Sequence, residues 1–260
     1  MSSIIASSPR RAAAAMALAV GLVVSACGPS DSELPTFNEP VKGDRVDPDS
    51  FLKALRSSFR AGSLARVSFD VRGGVGLQGG GAVRYTADGM DASLRIDDWQ
   101  VEGASIDIRI VGGTTYMRVP ESRGLWVNLD GAGTPGADLA KEADPRQAIG
   151  DLRDSIDEVR FSGVERIGGV ASRRFQVVTR PSSKKGAGSD SAEQPTVAQY
   201  WFDEHGRVVR RQTELAQAGS ATFTWTAWGE PVTIVRPKAN TVVTVERLEQ
   251  LRQEQAGASP

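Results

Sequence analysis

From residue 63 to residue 129 the apolar residues recur with a period of two. Val67, Phe69 and Val71 alternate with Ser68 and Asp70, and Ile106, Ile108 and Ile110 alternate with Asp107 and Arg109. Side chains on a strand point alternately to its two faces, so this rhythm describes strands with one apolar face and one wet face. Such a sheet must bury its apolar face against another layer, and tight turns between the runs make neighbours antiparallel. Asp88-Gly89 and Gly112-Gly113 supply turns of that kind. The segment is predicted to be a meander through Val67–Val71, Val83 and Tyr85, Leu94 and Ile96, Ile106–Ile110, residues 114–119 and residues 125–129. Gly79-Gly80-Gly81 reads as a bend in a curved sheet. No Lys-Ser or Lys-Thr follows it, so it is not a phosphate-cradling loop.

Two helices interrupt this rhythm, each opened by the same device. Asp47-Pro48 and Asp144-Pro145 place an N-capping carboxylate before a proline suited to a first helical turn. Phe51, Leu52, Leu55 and Phe59 follow the first at helical spacing, and Gly62 stops it. Ile149, Leu152, Ile156 and Val159 follow the second. Strands are then predicted over 161–167 and 170–179 around Gly168-Gly169, from Tyr200-Trp201-Phe202 to Val208-Val209, and over 221–228. A polar, low-complexity loop spans 181–195. A short extended piece over 231–235 precedes a last helix over 241–253, with Val245, Leu248 and Leu251 on one stripe.

The N-terminus has a different grammar. Arg10-Arg11 precedes an apolar run from Ala12 to Val24, 13 residues broken only by Gly21. A bilayer-spanning helix needs ~20, so this is signal-peptide length. Val24-Ser25-Ala26-Cys27 follows: small residues, then the only cysteine in the chain. A lipoprotein signal needs a thiol there to take the diacylglyceryl group, and an ordinary secretory site does not. Residues 1–26 are therefore expected to be a lipoprotein signal peptide. Cys27 is expected to be lipidated, with the protein on the outer face of the cell membrane. Residues 27–46, rich in Pro, Ser, Gly and acidic residues, read as a flexible tether to a domain over 47–255.

Composition narrows the functional classes. Without Arg10 and Arg11, 29 basic residues face 32 acidic ones, which gives no sign of nucleic-acid binding. With Cys27 acylated no thiol is left for a disulfide or a cysteine metal site. The single histidine, His205, lies in Asp203-Glu204-His205-Gly206 and reads as a polar hairpin tip. Neither Asp97-Asp98 nor Asp154, Asp157 and Glu158 has calcium-loop spacing, and no Gly-x-Ser-x-Gly elbow occurs. No catalytic constellation, metal site or cofactor is expected, so the chain does not read as an enzyme. Five tryptophans (Trp99, Trp126, Trp201, Trp225 and Trp228) lie in or beside predicted strands, as core or as the wall of an apolar cavity.

The stretches 164–177 (VERIGGVASRRFQV), 200–211 (YWFDEHGRVVRR) and 228–237 (WGEPVTIVRP) resemble the LolA-like superfamily. More narrowly they are similar to the actinobacterial LppX/LprG-type lipoproteins, and the order of elements follows that pattern over roughly 47–250. The resemblance implies an α+β fold: a strongly curved antiparallel sheet, a half-open barrel, whose concave face is covered by helices. It also implies space between sheet and helices for acyl chains. Candidate wall residues are Phe69, Val71, Leu94, Ile96, Ile106, Ile108, Ile110, Met117, Trp126, Phe175, Val177, Trp201, Phe223 and Trp225. The leading expectation is a lipoprotein that carries or holds a lipid or glycolipid, with an envelope transporter or membrane protein as a further partner. The competing readings are an envelope sensor that binds a protein, and an accessory protein whose cavity has collapsed.

Overall fold

The computed structural model describes residues 40–73, 76–98, 105–130, 144–180, 195–215 and 219–257. The expected signal peptide, Cys27, most of the tether, Trp99 and the loop over 181–194 lie outside the described residues.

The first half is a helix and a meander: α1 (Pro48–Ser58), then β1 (Leu64–Arg72), β2 (Leu77–Tyr85), β3 (Met90–Asp98), β4 (Ser105–Val111), β5 (Thr114–Arg118) and β6 (Trp126–Asn128). The second half repeats the plan: α2 (Pro145–Ser155), then β7 (Ile156–Ile167), β8 (Val170–Thr179), β9 (Thr196–Phe202), β10 (Val208–Leu215) and β11 (Gly219–Thr226). A two-residue strand β12 (Val242–Val243) and helix α3 (Val245–Gly257) end the described chain.

All twelve strands form one sheet among the described residues, in the order β12-β6-β5-β4-β3-β2-β1-β11-β10-β9-β8-β7. The two meanders join where β1 pairs antiparallel with β11, with Phe69 opposite Phe223 and Val67 opposite Trp225. Only the β12–β6 pair is parallel. The sheet curls without closing, and the helices cover its concave side: an α+β half-open barrel.

Both helix openings form as their sequences predict. Asp47 accepts a hydrogen bond from the Ser50 N–H (2.9 Å), and Asp144 accepts one from the Arg146 N–H (3.0 Å). Helix α1 buries Phe51, Leu52, Ala54 and Leu55 on one face. Phe51 meets the rings of Tyr200, Phe202 and Phe175, with centroids 5.3, 5.7 and 6.1 Å away. Helix α2 is shorter than its pattern suggested. It stops at Ser155, and Ile156 already begins β7, so Ile156 and Val159 are strand residues of the core. Its own buried contribution is Ile149.

The sheet edges are covered. Gly43 and Val46 donate to the carbonyls of Phe161 and Val159, and the Phe161 N–H donates to the Asp44 carbonyl. Residues 43–46, expected to belong to the tether, thus lie along the free edge of β7 and satisfy groups an open edge would expose. At the other end α3 packs Leu248 against Val119, Val127 and Leu129. Residues 231–235 form no strand. Arg109 donates to the Val235 carbonyl (3.3 Å) and Arg236 to the Val111 carbonyl (3.4 Å), so the piece lies against β4.

The turns behave as their glycines require. Gly112 and Gly113 (φ +59° and +78°) and Gly168 and Gly169 (φ +57° and +86°) close two-residue hairpins that need positive φ at both positions. Gly79 to Gly81 serve a different purpose, inside β2. A Cβ on Gly79 would lie 2.6 Å from the Phe69 ring, and one on Gly80 would lie 2.6 Å from the Val67 carbonyl oxygen. Neighbouring strands and a ring occupy the space that side chains would need, so β1, β2 and β3 approach closely and curve.

Candidate functional site

A cavity of about 420 Å³ lies between the concave face and helices α1 and α2. One end is closed by Phe59, Val83, Tyr85, Met90 and Trp225, all buried. The other end is walled by Phe69, Val71, Leu77 and Ile96, all only half-buried. Leu55 comes from α1 and Phe59 from the residue that caps its C-terminal end, and from α2 come Ala148, Ile149 and Leu152.

The closed end is polar at one point, and that point is neutral. The Trp225 indole N–H donates to the Tyr85 hydroxyl (3.2 Å). Burial pushes the Tyr85 hydroxyl far above its ordinary pKa, so no charge develops there near neutrality. The Phe59 ring packs edge-on against Tyr85 and Trp225 (5.2 and 5.5 Å) and seals this end. Helix α2 is pinned over the cavity through Arg146. Its guanidinium donates to Asp144, to the Thr86 carbonyl (2.6 Å) and to the Gly89 carbonyl. The β2–β3 turn and the start of α2 are thereby tied together.

A larger hollow of about 550 Å³ lies on the outer face, bordered by Ser68, Asp70, Gln78, Arg95, Asp97, Thr222 and Thr224. It is polar and open, while the inner cavity is apolar and partly enclosed. Only the inner one has the character of a site for an apolar ligand.

Chain comparisons agree with this architecture. No protein-family model matches the chain, and no curated protein sequence does. Among solved structures it is similar to the lipoprotein LppX of Mycobacterium tuberculosis, with a TM-score of 0.53 and 20% identity, over 73% of this chain and 100% of that one. It is also similar to LprF of Mycobacterium bovis, with a TM-score of 0.52 and 15% identity, over 75% of this chain and 100% of that one.

The fold is the one seen in LppX and LprF.

Within this LppX-like frame the fourteen expected wall residues divide into three groups. Phe69, Val71, Leu94, Ile96, Phe223 and Trp225 line the cavity. Ile108, Ile110, Phe175 and Val177 share the concave face but are buried in the core outside the cavity lining, and the half-buried Ile106 and Met117 pack against that core. Phe175, for example, is enclosed by Phe161 and Phe202 (5.5 and 5.6 Å) under α1.

Trp126 and Trp201 are on the opposite, outer face, contrary to expectation. The Arg109 and Arg118 guanidinium groups stand 4.4 and 4.8 Å from the Trp126 ring centre. Trp201 donates to Glu165 and packs with Ile167 and Val209. Long arginine stems bury an aromatic ring on a solvent-facing surface, so a buried tryptophan need not mark the inner face.

His205 is exposed at the β9–β10 turn, where the Asp203 carboxylate accepts from the N–H groups of His205 and Arg207 (3.0 and 2.8 Å). Among the described residues no cluster of His, Cys, Asp and Glu could hold a metal ion. No described helix is long and apolar enough to cross a membrane.

One wall residue is of a different kind, and the sequence pattern does not disclose it. Arg211 reaches the cavity from β10, opposite Phe223 on β11 and Tyr200 on β9. Strict alternation from the inward Val208 would turn Arg211 outward. The register slips between Val208 and Arg210, so Val209 and Arg210 together oppose Trp201 and Arg211 falls on the inner face. Nothing in the run Val208-Val209-Arg210-Arg211 announces that slip.

Proposed function

We propose that the chain is a cell-envelope lipoprotein that holds acyl chains of a lipid or glycolipid in the cavity beneath α1 and α2. The observation that carries this reading is the wall: aliphatic and aromatic side chains over a space of about 420 Å³ that opens at one end. That volume is within the ~300–1,000 Å³ of small-molecule sites. Each methylene taken from water contributes ~0.8 kcal/mol, so a dozen would supply about 10 kcal/mol before the costs of association. No reaction is part of this reading; the activity is burial and release.

The lipobox pattern at Cys27 supports an anchor on the outer face of the membrane. A diacylglyceryl group brings two chains, and two are needed for stable attachment. The 15 residues between Cys27 and Gly43 span at most about 50 Å when fully extended. The domain would then act as a tethered station close to one membrane.

The test is to produce the chain in a lipid-rich bacterial envelope without its acyl anchor and examine it by native mass spectrometry, followed by organic extraction. A lipid released in near-stoichiometric amount is expected. A protein that stays empty, and takes up no lipid from vesicles, would refute the reading.

A further inference from the structure

We infer that the cavity is built for an anionic amphiphile, whose carboxylate or phosphate group is held by Arg211. This rests on the acyl-chain reading above and adds the ligand's charge. Among the residues that line the cavity, Arg211 is the one with a charged side chain. Arg211 is half-buried, its Nε is closed off from solvent, and that nitrogen has no hydrogen-bond partner. No ion pair to Arg211 occurs among the described residues. Its guanidinium carbon stands 5.8 Å from the centre of the Tyr200 ring.

This is a costly arrangement for an empty site. A cation in apolar surroundings loses hydration, and an unpaired buried donor forfeits its hydrogen bond. Arg146 is compensated by Asp144 and two carbonyls, Arg207 by Asp203 and Arg84 by Asp91, while the neighbouring Arg210, whose Nε is also closed off without a partner, lies on the outer face 5.9 Å from the Trp201 ring. Arg211 instead presents a planar fork of donors, suited to a carboxylate or phosphate, toward the space a ligand would fill.

Its height in the cavity fits a head group. Arg211 is level with Phe223, Phe69 and Gly79, and so with Ile96, in one cross-strand row. The next inward row toward the closed end contains Trp225, Val67 and Leu94. The next row toward the open end contains Val71 and Leu77. An acid group paired with Arg211 would sit nearer the mouth, with its chain running toward Phe59, Tyr85 and Trp225. A neutral lipid filling the same space would seal an uncompensated charge beneath itself.

The experiment compares ligands that differ only in the head group. Palmitate and methyl palmitate, and phosphatidic acid and diacylglycerol, are measured by displacement of a fluorescent fatty-acyl probe from the full mature chain. Wild type is compared with Arg211→Gln and Arg211→Lys. Wild type should prefer each acid over its neutral partner by at least about tenfold, equivalent to about 1.4 kcal/mol. Arg211→Gln should lose that preference, and Arg211→Lys should keep part of it. The carboxylate and phosphate arms tell which head group is preferred. Equal binding of acid and neutral ligands by wild type, or an acid preference unchanged in Arg211→Gln, would overturn this inference and leave the acyl-chain reading standing. Failure of all four ligands to bind wild type would overturn both. Circular dichroism and the urea unfolding curve of Arg211→Gln serve as its folding control.

Discussion

Phe51 and Phe69 are both inward-facing phenylalanines, yet truncating them should cost very different amounts. Phe51 is fully buried and touches three aromatic rings, with centroids 5.3–6.1 Å away. Phe51→Ala removes its transfer free energy and leaves a void that packed neighbours cannot fill. Such changes cost ~3–5 kcal/mol, and the edge-on aromatic contacts place this one toward the upper end. Phe69 is half-buried and borders about 420 Å³ of existing space. Phe69→Ala opens no new sealed void. It forgoes about half of the ~1.5–3 kcal/mol for a fully buried ring, or about 1 kcal/mol.

The two variants should therefore differ by about 3 kcal/mol, a large share of a typical domain's ~5–15 kcal/mol. Urea unfolding of the lipid-free domain, followed by tryptophan fluorescence and circular dichroism, measures both losses. The slopes should match that of wild type, so that midpoints report stability alone. Equal losses would refute the reasoning, because they would mean that Phe69 is packed as tightly as Phe51 and that the cavity is closed in solution.

Three further outcomes are expected. Cys27→Ala should release the protein from the membrane fraction while leaving the domain's unfolding curve unchanged; co-unfolding would contradict an anchor with no role in the fold. Gly81→Ala should destabilise by about 1–3 kcal/mol, because its Cβ would lie 2.9 Å from the Leu94 Cα and backbone cannot step aside; thermal unfolding measures this. The Asp47 carboxylate is held below its ordinary pKa of 3.8, chiefly by the Ser50 hydroxyl and then by the Ser50 N–H. A depressed folded pKa stabilises above the unfolded value and is lost as pH falls through the folded one, so Asp47→Asn should flatten the stability curve below about pH 4. An unchanged acid limb would show that this cap does not contribute there.

Much of the architecture was legible from local chemistry. The two Asp-Pro openings, the glycine-pair hairpins and the alternation in β1, β3 and β4 are short-range effects, and each forms where its residues predict. The α2 boundary was less legible. Ile156 suits a helical stripe and a buried strand equally, and pairing with β8 decides for the strand. The candidate site was legible only in part. Alternation groups residues by face, but core and cavity wall use the same face, so Phe175 and Phe69 look alike in sequence.

By itself the sequence determined that the chain makes one-sided antiparallel strands and two capped helices, because those depend on neighbours a few residues apart. The tertiary structure decided three other things. It chose which face is concave, and so moved Trp126 and Trp201 to the outside beneath or beside charged side chains. It paired β1 with β11 across most of the chain, which brings Phe69 and Phe223 to one cavity. It also slipped β10 by one residue, which turned Arg211 from the solvent to the interior. Each depends on contacts between residues far apart in the chain, and a period of two carries no record of those.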